Sequence, residues 1–212
     1  AVFMVAGLAV GTQGSTIMLE TFETDNGVAA GSLHGQNGWF VESGTAQVQT
    51  SVVQNGLQAL EIAGGTVSHS LSNNNNALWL NFQARIAEAP DTPPVVNTDN
   101  TSVAFYVNSN LNLVVYSNAV PVELAAPMAT NVWTRFDVYC DYDTGTWDLA
   151  KDGVNIAAGL GLVSPSQQVD RVMIANSSAL AMHFDELDIA DTEQVADVPD
   201  SDGDGIPDWW EQ

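Results

Sequence analysis

Residues 136–153 show the clearest structural pattern in the chain, Phe136-Asp-Val-Tyr-Cys-Asp-Tyr-Asp-Thr-Gly-Thr-Trp-Asp-Leu-Ala-Lys-Asp-Gly153. Its first half alternates apolar and polar residues, which is typical of a strand with one buried face. The Asp143-Thr-Gly145 segment has turn chemistry, and Trp147 and Leu149 then resume the alternation. The stretch therefore predicts a β-hairpin. Cys140 falls on the apolar face, so we expect a buried thiol, and a single cysteine excludes an internal disulfide.

The same period of two recurs on both sides of this hairpin. Between Leu78 and Ile86, Leu80, Phe82 and Ala84 complete one apolar face, and the intervening residues face the other way. Shorter runs at 103–107, 113–115, 172–174 and 184–189 repeat the pattern, separated by loops at 73–76 and 89–100. No long helix is predicted. The expected fold is therefore all-β, an antiparallel β-sandwich over residues 15–192.

Three stretches carry a family resemblance. They are Phe22 to Asp25 with Gly31-Ser-Leu-His-Gly-Gln-Asn-Gly-Trp39, the hairpin region Trp133 to Gly153, and Phe184-Asp-Glu-Leu-Asp-Ile189. Together they resemble the concanavalin A-like (laminin-G-like) jelly rolls of secreted bacterial proteins. The resemblance implies a jelly-roll sandwich with Trp39, Trp133 and Trp147 in its core. It implies little about function, because this fold hosts lectins, carbohydrate-binding modules, glycanases and adhesive domains.

The outward residues of the 78–86 strand are the candidate carbohydrate-binding site. Sugar recognition requires an exposed aromatic ring to stack on a sugar face, with amides or charged groups beside it to bind hydroxyls. One strand face supplies this combination, and its members are Trp79, Asn81, Gln83 and Arg85. The alternative is that Trp79 packs beneath a loop or a neighbouring strand.

Glu186-Leu-Asp188-Ile-Ala-Asp191 resembles the ExDxxE signature of laminarinase-like glycoside hydrolases. In a regular strand Glu186 and Asp188 would point to one face, as a pair of catalytic carboxyls must. Asp191, however, is shorter than the glutamate of that signature, and the motif falls on the closing strand. We therefore expect no catalysis, with glycoside hydrolysis as the third-ranked function. His34, His69 and His183 show no pairing with Cys140.

The charge balance excludes two classes of partner. Four Lys and Arg against 26 Asp and Glu give a net charge of −22 at pH 7. Such a chain repels phosphate backbones and acidic lipid head groups, which argues against nucleic-acid binding and electrostatic membrane binding.

The acidic C-terminal segment predicts a calcium site. With Asp200 as loop position 1, carboxylates fall at positions 1, 3, 5, 9 and 12 and Gly205 at position 6. This is the EF-hand ligand register, and all-oxygen ligands on a flexible loop suit Ca²⁺. The segment resembles thrombospondin type 3 repeats and dockerin-like modules, with a linker at 193–199 and the loop at 200–212. The predicted ligands are Asp200, Asp202, Asp204, Ile206 through its carbonyl, Asp208 and Glu211.

Residues 1–14 begin with the apolar run AVFMVAGLAV. The run has the length of a secretory signal core, and it is too short to span a bilayer. The alternative is a strand donated to the sheet of another copy. Both interpretations place the protein outside the cytoplasm.

The sequence thus predicts a non-catalytic module of a larger secreted or cell-surface protein, with a polysaccharide or glycoconjugate as its partner. The second prediction, from a different class, is a self-assembling filament or matrix subunit that uses residues 1–14 to bind copies of itself.

Overall fold

A computed structural model describes residues 16–73, 75–89, 92–165 and 169–191. Within these ranges the chain is almost entirely β-structure, with a single 3-10 turn at Thr24–Asn26. The strands are β1 Thr16–Glu20, β2 Gly31–Ser32, β3 Trp39–Gln49, β4 Ala59–Ser70, β5 Ala77–Ile86, β6 Phe105–Val107, β7 Asn112–Ser117, β8 Val120–Pro127, β9 Thr134–Asp141, β10 Thr146–Lys151, β11 Val154–Gly161, β12 Arg171–Asn176 and β13 Met182–Ala190.

The strands form two antiparallel sheets. The larger sheet has the order β11-β10-β9-β5-β13-β4-β3-β2, with β1 paired to β13 and β12 paired to β4. The smaller sheet has the order β6-β7-β8. The predicted hairpin is β9–β10, and it lies beside β5 rather than at the end of the sheet.

The two sheets pack face to face through aromatic side chains. Phe105 of β6 lies 6.2 Å from Phe82 of β5, 5.4 Å from Phe136 of β9 and 6.4 Å from Trp147 of β10, measured between ring centroids. This stacking defines a β-sandwich and confirms the predicted fold class.

The alternation predicted for the hairpin is also observed. Phe136, Val138 and Cys140 are buried on β9, as are Trp147 and Leu149 on β10. Burial raises the pKa of the Cys140 thiol to about 12, so the thiolate required for reactivity does not form at neutral pH. The sequence pattern does not predict strands β1 to β4, β8 or β11. Of these, β8 is mostly exposed and lacks a clear apolar face.

Loop 50–58 is held by backbone hydrogen bonds to carboxylates. Glu23 Oε1 accepts the Leu57 N–H at 2.6 Å and the Gln58 N–H at 2.8 Å. Nearby, the fully buried Glu20 accepts hydrogen bonds from the Phe22 N–H at 2.8 Å and from the Trp39 indole at 3.0 Å. Carboxylates therefore satisfy backbone donors that lie outside the sheet ladders.

Strands β3 and β4 approach each other closely where both bend. Gly44 has a φ of +67°, and a Cβ added there would overlap the backbone of Gly64 and Gly65. The register of β3 on β4 shifts on both sides of Ser43, so two irregularities occur within a few residues. Glycine is required here both for its dihedral freedom and for the space it leaves.

No described segment is a helix of sufficient length and apolarity to cross a membrane.

We predict that Gly44→Ala lowers the free energy of unfolding by about 3 kcal/mol, because the added methyl group clashes with backbone that has no room to move. Gly145→Ala is the matched control. Gly145 has a φ of +68° but nothing within 4 Å of the added Cβ, so only the dihedral strain applies, about 1 kcal/mol. Urea denaturation of both variants tests this difference, and equal losses would contradict it.

Candidate functional site

The side of the larger sheet that faces away from the core carries polar and aromatic residues. On β5 the core-facing residues Leu78 and Ala84 are buried, which turns the odd-numbered residues between them outward. The side of β10, β9, β5, β13 and β4 that these residues share is called the outer face below. The four predicted carbohydrate-binding residues, Trp79, Asn81, Gln83 and Arg85, all lie on it in the part of the sheet where β5 is central.

An aromatic pair occupies one end of the outer face. Trp79 and Tyr139 are directly opposite each other on β5 and β9, with ring centroids 4.6 Å apart and planes inclined by 35°. Both rings are partly exposed. Side by side, they form a broad apolar surface on a sheet that is otherwise polar on this side.

The next row inward consists of hydrogen-bonding groups. Asn81 is opposite Asp137 of β9 on one side and Asp188 of β13 on the other. Asp188 Oδ1 is buried and has no hydrogen-bond partner among the described residues. Burial raises the pKa of Asp188, while a hydrogen bond from Asn81 opposes that rise. This row therefore presents amide and carboxyl groups, although Asp188 Oδ1 itself is buried from solvent.

An ion pair on β9 connects the second row to the third. Arg135 Nε and Nη2 both donate to Asp137 Oδ1, at 2.8 and 2.6 Å. Gln83 is opposite Arg135 on β5 and adds a neutral amide. Because the two charged groups are each about 30% exposed and satisfy one another, the pair is polar but carries little net charge.

A histidine-centred cluster lies at the far end of the outer face. Arg85 Nη1 lies 3.5 Å from His183 Nδ1, and His183 Nε2 lies 3.3 Å from Glu61 Oε2 in a poorly aligned contact. Burial lowers the pKa of His183, which keeps the imidazole neutral at pH 7. Gln47 donates to the other oxygen of Glu61 at 2.7 Å. His183 therefore links three strands, a role that the sequence pattern does not indicate.

Trp133 belongs to this face and not to the core. Trp39 and Trp147 are buried as the resemblance implied, but Trp133 is only half-buried. Its ring lies edge-on to His183, with centroids 6.4 Å apart. The expectation that Trp133 packs in the core is wrong, because the residue precedes the first core-facing position of β9, Thr134.

The ExDxxE-like segment lies on β13, where the strand is irregular. The pairing of β13 with β5 shifts register between Asp185 and Asp188, and Glu186 has a φ of +55°. The comparison with paired catalytic carboxyls assumes regular alternation, and this bulge interrupts it. Glu186 and Asp188 are both partly exposed, and Asp191 directly follows the strand.

Asp185, which is opposite Gln83 of β5, fixes the bulge and binds loop 50–58. Its side chain is fully buried and accepts the Glu186 N–H at 3.0 Å through Oδ1. Through Oδ2 it accepts the N–H groups of Gln54 and Asn55, at 3.2 and 3.4 Å. Burial raises the pKa of Asp185 from its ordinary value of 3.8 to about 7, against the opposing effect of these hydrogen bonds.

Sequence analysis missed the residues that neighbouring strands contribute, namely Arg135, Asp137, Tyr139 and Asp188 as members of a common face. Alternation within β9 signals which of its residues point outward. It does not signal that β9 lies beside β5, because strand order is not written in a local pattern.

The other histidines have structural contacts. His34 accepts the Val41 N–H at 3.2 Å, and His69 Nε2 lies 2.9 Å from the Asn37 carbonyl oxygen. Within the described ranges no group of three His, Cys, Asp or Glu side chains is arranged to hold a metal ion. The predicted calcium loop at 200–212 and the apolar segment at 1–14 lie outside the described residues.

No family model and no curated protein sequence matches the chain. Several solved structures are similar. A structure described as a sialidase has a TM-score of 0.58 at 8% identity, covering 85% of this chain and 19% of that one. Domain 4 of AbnA, a GH43 extracellular arabinanase from Geobacillus stearothermophilus, in complex with arabinotriose, has a TM-score of 0.55 at 14% identity, covering 84% and 92%. The binding domain of botulinum neurotoxin serotype D has a TM-score of 0.54 at 12% identity, covering 84% and 49%.

At such identities the similarity shows a shared fold, the β-sandwich found in these binding and sialidase structures. The chain spans about a fifth of the sialidase, 19% of its length. It corresponds to nearly the whole of the arabinanase domain, at 92% coverage. The fold therefore occurs as one domain of larger proteins.

Asp185 predicts a pH dependence of stability. The folded protein binds this proton more tightly than the unfolded chain, so the group stabilises the fold at low pH. That contribution is lost as the pH rises from about 4 through about 7. We predict that the unfolding free energy of the wild type falls relative to that of Asp185→Asn across this interval, as measured by urea denaturation. Asp25→Asn, on the exposed turn, controls for the removal of one charge. Parallel pH profiles for the wild type and Asp185→Asn would contradict the assignment.

Proposed function

We propose that this protein is an extracellular glycan-binding module of a larger protein, and that the outer face is its binding surface. The observation that carries the proposal is the Trp79–Tyr139 pair, partly exposed and placed next to a row of amides and carboxyls. Stacking on a sugar ring requires such an apolar surface, and orienting the hydroxyls requires hydrogen-bonding groups beside it.

Two of the similar structures support the proposal. One similar domain was solved with arabinotriose, and another is the binding domain of a toxin. The irregular β13 argues against the alternative of a glycoside hydrolase, because the bulge at Glu186 breaks the strand geometry that the motif comparison used.

We predict that the full chain binds at least one polysaccharide on an array that includes arabinan, and that Trp79→Ala weakens this binding about tenfold. Removing a central aromatic contact typically costs at least 1 kcal/mol, and 1.4 kcal/mol corresponds to a factor of about ten. Phe40→Ala is the matched control, because Phe40 is an aromatic residue 50% exposed on β3, a strand that is not part of the outer face. Absence of any glycan binding would overturn the function. Equal losses in both variants would overturn the site.

We also propose that residues 200–211 bind Ca²⁺, which supports an extracellular location because millimolar calcium is available there. The support is the ligand register, with carboxylates at alternate positions and Gly205 at the turn. Ile206 would contribute its carbonyl and Glu211 a bidentate carboxylate. In this role the ion would organise the acidic segment that follows the sandwich.

The calcium proposal predicts that Asp200→Ala weakens binding by about tenfold or more, measured by calorimetric titration of chelator-treated protein with CaCl₂. Asp197→Ala is the control, since it removes an equivalent charge from the same segment outside the ligand register. If both variants titrate like the wild type, calcium binds elsewhere or not at all. If both lose affinity equally, the effect is general charge and not coordination.

A further inference from the structure

We propose that the outer face binds an internal stretch of a linear, non-acidic glycan that lies along the strands. This inference deepens the glycan-binding function proposed above and depends on it. It assigns both the length and the charge of the ligand, which the presence of one aromatic pair leaves open.

The length follows from aromatic residues at both ends of the outer face. Trp79 and Tyr139 mark one end, and Trp133 marks the other, packed against His183. The register of β5 on β9 pairs Ala84 with Thr134, so the next pair along is Arg85 with Trp133. Six residue steps separate Trp79 from Arg85, which corresponds to roughly 20 Å along a strand. A monosaccharide at one end cannot contact the other.

The side chains between the two ends can form hydrogen bonds with sugar hydroxyl groups along the whole length of the outer face. Asn81 and Gln83 each offer donors and an acceptor, and Asp137 retains an oxygen that the Arg135 contacts do not use. Asp188 is partly exposed and lies opposite Asn81, so its carboxyl group belongs to the same row, although its Oδ1 atom is itself buried. A chain that follows the strands therefore meets hydrogen-bonding groups at successive positions.

The charges of the protein disfavour an acidic glycan. The chain has four cationic side chains, Arg85, Arg135, Lys151 and Arg171. Three lie within ion-pair distance of Asp137, Asp152 and Glu42, at 2.6, 3.6 and 3.5 Å respectively. Arg85 donates to the Asn131 carbonyl at 3.2 Å and also contacts His183. A uronate, sulfate or sialic acid would therefore approach a strongly negative protein whose cations are already engaged.

The test uses the full chain and calorimetric titration with oligosaccharides of defined length. The neutral probes are cello-, manno- and xylo-oligosaccharides from disaccharide to hexasaccharide. The acidic probes are oligogalacturonates of the same lengths. We expect affinity for at least one neutral series to rise about tenfold or more from disaccharide to hexasaccharide. We expect the galacturonate hexamer to bind about tenfold more weakly than that neutral one.

Trp133→Leu tests the second end, with Trp79→Ala as the variant for the first. Each substitution should weaken binding of the neutral hexasaccharide about tenfold and flatten the dependence on length. Leucine keeps an apolar side chain against His183, and thermal denaturation verifies folding. Should Trp133→Leu not fold, the length series of the wild type still decides the matter.

The outcomes separate this inference from the function itself. Binding that does not change with length, or that Trp133→Leu leaves intact, overturns the two-ended site while glycan binding stands. Tighter binding of oligogalacturonate than of the neutral oligosaccharides overturns the exclusion of acidic glycans. If no probe of any charge binds, and the polysaccharide array is also blank, the proposed function has failed.

Discussion

Cationic side chains are scarce in this protein, and their scarcity determines how its carboxylates are satisfied. With 26 acidic and four basic side chains, most carboxylates have no cation to pair with. Several of them accept backbone N–H groups instead, among them Glu20, Glu23 and Asp185. Glu20 binds the turn after β1, Glu23 binds loop 50–58, and Asp185 binds the same loop and the bulge of β13. Such charge-assisted hydrogen bonds use donors that loops would otherwise leave unsatisfied.

These contacts also determine which residues form the outer face. Loop 50–58 is held between Glu23 and Asp185, and Asp185 in turn fixes the conformation of Glu186. In a regular ladder the buried Leu187 would lie opposite Asn81, but the bulge shifts the register of β13 on β5 and places Asp188 there instead. The bulge therefore places the carboxyl group of Asp188 on the outer face. Loop anchoring and the composition of the site are therefore parts of one arrangement.

The sequence predicted what a single strand can encode. Alternation in residues 78–86 identified Trp79 and its polar neighbours as outward-facing, and the turn at 143–145 located the β9–β10 hairpin. It did not predict Tyr139 beside Trp79, since that contact depends on which strands are neighbours and in which register. The bulge at Glu186 was equally hidden, because it is stabilised by amides about 130 residues away in sequence. The prediction for Trp133 failed because a resemblance fixes architecture better than the orientation of a residue at the end of a strand.

An acidic protein and a glycan-binding surface are compatible for a physical reason. Sugar hydroxyls are neutral, so their recognition depends on short-range hydrogen bonds and ring stacking rather than on long-range attraction. The net charge of −22 therefore repels polyanions without a cost for neutral ligands. In the proposed function, the ion pair of Arg135 with Asp137 would add to this effect, because the pair is polar yet nearly uncharged. Since the fold is shared by proteins of different activities, the chemistry of this face, and not the sandwich beneath it, determines what the protein can bind.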